Sequence, residues 1–257
     1  MASILAVRGL MRRRILVNYR VEPSAIEGLV PPPFDLRLVH GKAMVGVCLI
    51  RLEHLRPAAV LGMDVGLTSE NAAYRVAVLW SDAASGEKRH GVYIIRRDTS
   101  SSLQHALGAR LFPGQYCRSR FGVSDREGRV VIRVRSQDGQ GDLELRAHEV
   151  DAFHGDSVFA SLDEASRFYR QAAVGYSAGR ADTHFEGLRL LTANWDARPL
   201  AIEVARSAFL GGLATSTGIV EFDNALILRD MDHEWHPLAP IAIEGWGRTQ
   251  TEGSRAS

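Results

Sequence analysis

Two neighbouring stretches of the chain decide the fold: Ser69–Trp80, SENAAYRVAVLW, and His90–Thr99, HGVYIIRRDT. Both are rich in β-branched and aromatic residues, which favour strands. Between them, the segment around Ser85–Gly86 carries turn-forming residues. The two stretches therefore predict a pair of adjacent antiparallel strands.

The side chains of the first strand should divide between its two faces. Residues two apart on a strand point the same way. One face should carry Asn71, Ala73, Arg75 and Ala77, and the other Tyr74, Val76 and Val78. An arginine that points into a protein interior needs a partner. Glu70, or another acid, should therefore neutralise Arg75 if that side chain points inward.

The rest of the chain has the same strand-rich character. Further strands are predicted at residues 11–21, 34–39, 43–52, 115–121, 130–135, 143–149, 188–192, 200–205 and 219–228. Short helices are predicted at 25–30, 103–112 and 162–172, with a loop or short helix at 209–213. Strands at this spacing predict an α+β fold: a large, mostly antiparallel, barrel-like sheet with a few short flanking helices. We expect a single domain over residues 1–257, ordered from about 11 to 247, with 1–10 and 248–257 flexible.

Composition excludes several classes of function. The 31 basic and 30 acidic residues balance, whereas nucleic-acid-binding domains have a basic excess. No stretch approaches the ~18 apolar residues of a membrane span. The two cysteines, Cys48 and Cys117, have no Cys-x-x-Cys spacing and read as reduced thiols. These observations predict a cytoplasmic protein that binds neither nucleic acid nor membrane.

The common catalytic and cofactor motifs are absent from the sequence. It contains no dinucleotide-binding glycine motif, no P-loop and no nucleophile elbow. His233 and His236, within Asp232–His236, have a spacing that suits a metal only on a helix, and Pro237 disfavours a helix there. We therefore expect an exposed polar loop at this segment, and neither a metal nor a cofactor.

Polar side chains on the predicted strands form a candidate ligand site. Arg75 could clamp a carboxylate through two parallel hydrogen bonds, and Tyr93 and Tyr116 could orient a polar ligand. Arg118 is a candidate anion-binding residue. The alternatives are that the arginines form ordinary ion pairs or a solvated edge and that the tyrosines pack in the core.

Several blocks of the sequence resemble the DUF2071 (YqjF-like) family in order and spacing. They are NYRVEPSAIEGLVPPPFDLRLVHGKAMVGVCLIRL, ENAAYRV, HGVYIIRRDTSS, ARLFPGQYCRSRF, RFYRQ and TANWDARPLAIEVA. The resemblance covers about residues 11–230. This family is related in fold to acetoacetate decarboxylase, which implies a barrel-like antiparallel sheet around an internal cavity.

The resemblance to acetoacetate decarboxylase also raises the question of its Schiff-base lysine. In LFPGQYCRS, where that lysine is expected, this chain has Gln115, Tyr116 and Cys117. Its only two lysines, Lys42 and Lys88, lie at predicted turns. The fold should therefore carry over, and the Schiff-base chemistry should not.

Three hypotheses of function remain. The first is a protein that binds a small polar or carboxylate-bearing molecule in the barrel cavity, lined by Glu70, Arg75, Tyr93, Tyr116 and Arg118. The second is a decarboxylase, dehydratase or isomerase that uses no Schiff base, with Glu70 as acid/base. The third is a structural protein with a filled interior. A homo-oligomer is compatible with each.

Overall fold

The structure, a computed structural model, describes residues 6–60, 66–82, 85–111, 115–179, 183–217 and 220–242. The strands are β1 (Val7–Val21), β2 (Asp35–Leu36), β3 (Leu38–Val39), β4 (Lys42–Pro57), β5 (Leu67–Ser81), β6 (Lys88–Thr99), β7 (Cys117–Arg126), β8 (Arg129–Ser136), β9 (Leu143–Glu149), β10 (Val174–Ala178), β11 (His184–Thr192), β12 (Arg198–Ser207) and β13 (Val220–Ala242). The helices in these ranges are α1 (Ser102–Leu111), α2 (Leu162–Gln171) and α3 (Ala208–Thr217), with 3₁₀ turns at Pro23–Ala25 and Glu27–Leu29.

Nine strands close into a ring. In order around the ring they are β1, β4, β5, β6, β7, β8, β9, β12 and β13. All neighbours pair antiparallel except β6 and β7, which meet in parallel over two residue pairs, Asp98 with Cys117 and Thr99 with Arg118. The pairing of β12 with β13 also covers two residue pairs, so these two junctions are the shortest links of the ring.

A second closed circuit shares five of these nine strands. β10 pairs with β6 and β11, and β11 pairs with the later part of β13. The circuit therefore runs through β13, β1, β4, β5, β6, β10 and β11. The five strands common to both circuits have buried side chains on both faces, which explains the nearly continuous apolar run of β4.

The interior of the nine-strand ring is a packed apolar core. It contains Ile15, Val17, Val47, Leu49, Ala72, Tyr74, Val130, Ile132, Val134, Leu145, Leu200 and Ile227. The opposite face of the shared strands packs against α2, chiefly through Phe168 and Tyr169. Ser161 caps α2, and its hydroxyl accepts a hydrogen bond from Glu164 N at 3.2 Å.

The structure confirms the predicted fold class: a mostly antiparallel sheet that closes into a ring, with short flanking helices. It also corrects several boundaries. β1 begins at Val7, so residues 7–10 belong to a strand, and the predicted helix at 25–30 is a pair of 3₁₀ turns. β10 was not predicted, and β13 extends to Ala242 because β1 and β11 pair with its later part.

Some predictions lie outside the described residues. These are the last residue of the helix predicted at 103–112, the first residue of the strand predicted at 219–228, the tail at 248–257, and the first residues of the chain, 1–5. Among the helices that are described, none has the length and apolar character needed to cross a membrane.

A buried ion pair fastens the β6–β7 junction. Arg96 donates to both oxygens of Asp98, at 2.7 and 2.8 Å, and the Asp98 side chain is fully buried. Ser119 Oγ of β7 donates to the same carboxylate at 2.7 Å. Arg96 also binds Asp138, in the β8–β9 loop, at 2.7 and 2.9 Å. These contacts join three segments of the ring where backbone pairing is short.

Replacing Arg96 with alanine should destabilise the protein by about 3–5 kcal/mol, because the Asp98 carboxylate would stay buried without its cation. Arg135→Ala is the matched control: Arg135 is 74% exposed and pairs with Asp142 at 2.7 Å, and such a surface pair contributes about 1 kcal/mol or less. Unfolding in urea measures both changes. Equal losses in the two variants would contradict this role of the Arg96–Asp98 pair.

Candidate functional site

A cavity of about 120 Å³ lies inside the second circuit. Each of its seven strands contributes to the wall, together with α1, the segment after α2, and Tyr116. The lining includes Met11, Arg14, Cys48, Ile50, Leu52, Asn71, Ala73, Arg75, Val92, Ile94, Arg97, Gln104, Tyr116, Ala173, Gly175, Leu188, Leu190 and Trp235. The wall is thus mostly apolar with a few polar groups, which is the usual composition of a small-molecule site.

Arg75 is the most unusual residue of this wall. It is only 6% exposed, and its Nη2 donates to Asn18 Oδ1 at 2.7 Å. Its guanidinium lies 5.2 Å from the ring centre of Tyr169, and its Nε has no hydrogen-bond partner in the described structure. Burial lowers the pKa of Arg75 below its usual range, yet an arginine stays protonated. The wall therefore holds a buried positive charge.

Two further arginines border the same cavity. Arg14 donates Nε to Cys48 Sγ at 3.4 Å and lies 5.3 Å from the ring centre of Trp195. Arg97 lies 5.7 Å from the ring centre of Tyr116. Burial lowers the pKa of Arg97, while the charge of Glu186 acts in the opposite direction. No aspartate or glutamate occurs among the described residues that line the cavity, so its wall is electropositive.

Arg97 reaches the cavity because of an irregularity in β6. Tyr74 pairs with Arg96 and the next residue, Arg75, pairs with Ile94, so Ile95 is an extra residue on β6. Such a bulge reverses the side-chain alternation beyond it. Val92 and Ile94 therefore line the cavity before the bulge and Arg97 lines it afterwards.

Tyr116 lies in the segment where the resemblance leads one to expect a lysine. It lines the cavity, its carbonyl oxygen is 2.6 Å from His105 Nδ1, and burial raises the pKa of its hydroxyl. The neighbouring Cys117 lies outside the lining, and burial raises the pKa of its thiol despite the charge of Arg96. At neutral pH both groups are therefore protonated, so Cys117 is not an activated thiolate.

The expectation that Glu70 or another acid neutralises Arg75 is wrong for the described residues, because none of their carboxylates pairs with Arg75. Glu70 is 8% exposed and accepts a hydrogen bond from Arg13 Nη2 at 2.7 Å, with Arg51 Nη1 at 3.5 Å. It does not line the cavity. Strand residues whose numbers differ by an even amount point to the same face, so Glu70 lies on the Tyr74 face of β5, opposite Arg75. Burial raises the pKa of Glu70, although Arg13 and Arg51 oppose this shift.

Tyr93 and Arg118 also lie outside the cavity wall. Tyr93 is on the opposite face of β6 from Val92, where its ring centre lies 5.8 Å from that of Phe34. Arg118 donates to the backbone carbonyls of Ser100 and Thr99 and so ties the start of α1 to β7. Of the five predicted ligand-binding residues, the structure therefore brings Arg75 and Tyr116 together.

Sequence reasoning missed Arg14, Arg97, Cys48 and Gln104 as cavity residues. Arg14, Leu16 and Asn18 alternate along β1 and therefore share one face of the strand. This alternation could have placed Arg14 on the cavity side once the pairing of β1 with β4 and of β4 with β5 was known. The bulge that brings in Arg97 leaves no comparable signal in the sequence.

The two lysines lie away from the cavity. Lys42 begins β4 and forms an ion pair with Glu22, and Lys88 is exposed at the start of β6. Neither is among the residues that line the cavity.

The segment Asp232–His236 is a strand within β13, not the expected exposed loop. His233 is 3% exposed, and burial lowers its pKa to about 4. His236 Nε2 lies 2.8 Å from Glu234 Oε2. Successive strand residues point to opposite faces, so the side chains of this segment do not all point towards one site. No group of three or more metal-binding side chains occurs among the described residues.

The closed sheet places the chain among acetoacetate decarboxylase-like folds. Acetoacetate decarboxylase from Legionella pneumophila aligns with a TM-score of 0.59 at 12% identity, over 91% of this chain and 87% of that one. An acetoacetate decarboxylase-like enzyme from Sphingomonas wittichii aligns with a TM-score of 0.56 at 14% identity, over 95% and 94%. The enduracididine biosynthesis enzyme MppR, in a complex with pyruvate, gives 0.54 at 10%, over 95% and 91%. At these identities the similarity shows the fold alone.

The chain belongs to the DUF2071 family, described as an uncharacterized conserved protein, whose profile matches residues 10–209. This confirms the resemblance drawn from the sequence blocks. None of the curated proteins compared with the chain matches it.

Burial of His233 should make stability depend on pH. In the unfolded chain the histidine has a pKa of about 6.5, whereas in the folded protein the pKa of His233 is about 4. Between these two pH values the unfolded state therefore binds a proton that the folded state does not bind. The free energy of unfolding should therefore fall as the pH falls through this window, by about 3 kcal/mol from this residue. His233→Phe should remove that part of the dependence.

Urea unfolding between pH 4 and 7 measures the effect, as the difference between wild type and variant. His236→Phe is the matched control, because that side chain is 40% exposed, and it should keep the wild-type dependence. Parallel wild-type and His233→Phe curves would contradict the prediction.

Proposed function

We propose that this protein binds a small carboxylate-bearing molecule non-covalently in the cavity of the second strand circuit. One observation carries the proposal: Arg75 is buried in the cavity wall with no carboxylate partner among the described residues. A buried, unpaired charge is costly. A ligand carboxylate would supply the missing partner through a charge-assisted hydrogen bond to the guanidinium.

The size and charge of the cavity support the same ligand class. A dry cavity of ~150 Å³ can hold benzene, so this cavity of about 120 Å³ suits a molecule of roughly the same size or slightly smaller. Arg14 and Arg97 add positive charge to the wall without a lining acid. These features favour a compact anion over a neutral or extended ligand.

A neighbour in fold suggests a probe. The structure of MppR that aligns with this chain is a complex with pyruvate. Pyruvate is a small 2-oxo acid of suitable size and charge, so it is the first molecule to test here. The argument for a carboxylate rests on Arg75 and does not depend on that neighbour.

An enzymatic role has less support from the site. Glu70, the hypothesised acid/base, is engaged by Arg13 and Arg51 on the other face of β5. Tyr116 has a raised pKa, which disfavours it as a base near neutral pH. A filled interior, as a purely structural role would have it, agrees poorly with the cavity. Binding is the function that these residues support best.

Pyruvate should bind the wild-type protein, and Arg75→Met should weaken it roughly ten- to hundredfold. The reason is that a hydrogen bond to a charged group contributes about 1.5–3 kcal/mol. The free energy of unfolding of the variant should not fall by an amount that matches the loss of affinity, because the methionine removes a buried charge. Isothermal titration calorimetry, with pyruvate up to tens of millimolar at constant ionic strength, measures the affinity.

Two controls sharpen this titration. Arg135→Met changes an arginine that is 74% exposed and should bind pyruvate as the wild type does. Pyruvamide, which has the same shape without the charge, should bind the wild type more weakly than pyruvate. Equal affinity of wild type and Arg75→Met for pyruvate would refute the proposal.

Cyanoborohydride should trap no covalent pyruvate adduct at Lys42 or Lys88. A Schiff base needs an uncharged amine next to the bound carbonyl, and neither lysine lines the cavity. Peptide mapping by mass spectrometry after incubation with pyruvate and reductant measures the outcome. Stoichiometric labelling of either lysine would show that the binding is covalent.

A further inference from the structure

A row of polar residues crosses four adjacent strands at the level of Arg75. Asn224 of β13 pairs with Asn18 of β1, Asn18 pairs with Gly46 of β4, and Gly46 pairs with Arg75 of β5. Asn18 and Asn224 are fully buried. Directly opposite residues of adjacent strands have their side chains on the same face, so the row lies on the face that borders the cavity.

Gly46 allows Arg75 to reach Asn18 across β4. Arg75 Nη2 reaches Asn18 Oδ1 at 2.7 Å although a whole strand separates them. A Cβ atom at position 46 would lie 2.3 Å from Val17 O and 3.3 Å from Asn18 Oδ1. The space over Gly46 is therefore the passage through which the arginine contacts the asparagine.

Chemistry fixes the direction of every hydrogen bond in the row. An arginine only donates and a carboxylate only accepts. Asn18 Oδ1 therefore faces Arg75, and its Nδ2 donates to Asn224 Oδ1 at 2.8 Å. Asn224 Nδ2 in turn donates to Asp223 Oδ2. The orientation of both amides follows from the charges at the two ends.

Asp223, at the far end, has partners of its own. Its carboxylate is fully buried and accepts from Ser157 Oγ at 2.7 Å and from Val158 N at 2.8 Å, and Arg20 Nη1 lies 3.8 Å away. Two neutral amides separate it from Arg75. The row therefore holds the guanidinium in place while the nearest acid in it stays too distant to form an ion pair.

We propose that Asn18 is the positioning residue of the cavity: a neutral acceptor that fixes Arg75 and leaves its charge for an anionic ligand. This inference rests on the proposed carboxylate-binding function. An aspartate at position 18 would pair with Arg75 directly and compete with the ligand. An acid at position 18 would stabilise Arg75 better than the amide does. The Asn18 amide is thus the feature that leaves the charge of Arg75 available for an anionic ligand.

Moving the carboxylate along the row tests the inference. The double variant Asn18→Asp/Asp223→Asn keeps the net charge and the number of buried polar groups. Asn224 can satisfy it by turning its amide over, donating to position 18 and accepting from position 223. Pyruvate affinity, measured by calorimetry, should fall at least tenfold, while the thermal midpoint should stay at or above that of the wild type.

Two single variants complete the experiment. Asp223→Asn should bind pyruvate within about twofold of the wild type, because the distant acid does not supply the binding charge. Asn194→Asp adds an acid at an exposed position and should also leave the affinity unchanged. If the double variant does not fold, Asp223→Asn still decides the question: a folded Asp223→Asn protein with tenfold weaker binding would overturn the inference.

The outcomes separate this inference from the proposed function. A wild type that binds no pyruvate, or binds it as well after Arg75→Met, removes the proposed function and this inference with it. A wild type whose binding depends on Arg75, combined with a folded double variant of undiminished affinity, removes only the role of Asn18.

Discussion

The constraint that shapes this molecule is that five strands belong to two closed circuits at once. β13, β1, β4, β5 and β6 complete the nine-strand ring on one side and enclose the cavity on the other. Along the central parts of β1, β4, β5 and β13 most side chains are buried on both faces. One face packs the apolar core of the ring, and the other carries the residues of the cavity wall. A polar residue in these central parts must consequently find its partners inside the protein.

That constraint explains which parts of the fold and the site could be predicted. The alternation of side chains on β5 correctly puts Arg75 and Tyr74 on opposite faces, since Tyr74 lies in the ring core and Arg75 in the cavity wall. The same alternation also puts Glu70 and Arg75 on opposite faces, which excludes the predicted ion pair between them. That prediction relied on their nearness in sequence, although adjacent strands, not adjacent residues, supply most partners in a sheet.

Other features depend on pairings that no local pattern reveals. The bulge at Ile95 turns Arg97 towards the cavity, and only the register against β5 makes it visible. β10 has five residues with a glycine among them, too short and too mixed in character to stand out as a strand. It forms because β6 and β11 supply partners on both sides. Long-range pairing thus completes the second circuit, and the sequence alone does not predict this circuit.

Proteins of similar fold can differ in their chemistry. The reason is that function depends on the side chains that a fold presents, not on the fold itself. Here the cavity is lined by arginines and has no lysine among its described lining residues. An arginine stays charged and offers directed donors, whereas a desolvated lysine can lose its proton and act as a nucleophile. A buried arginine therefore equips a cavity to hold an anion and not to form an imine with it. Whether that charge remains available depends on what lies beside it, and in this sheet Gly46 provides the opening through which a neutral asparagine takes that place.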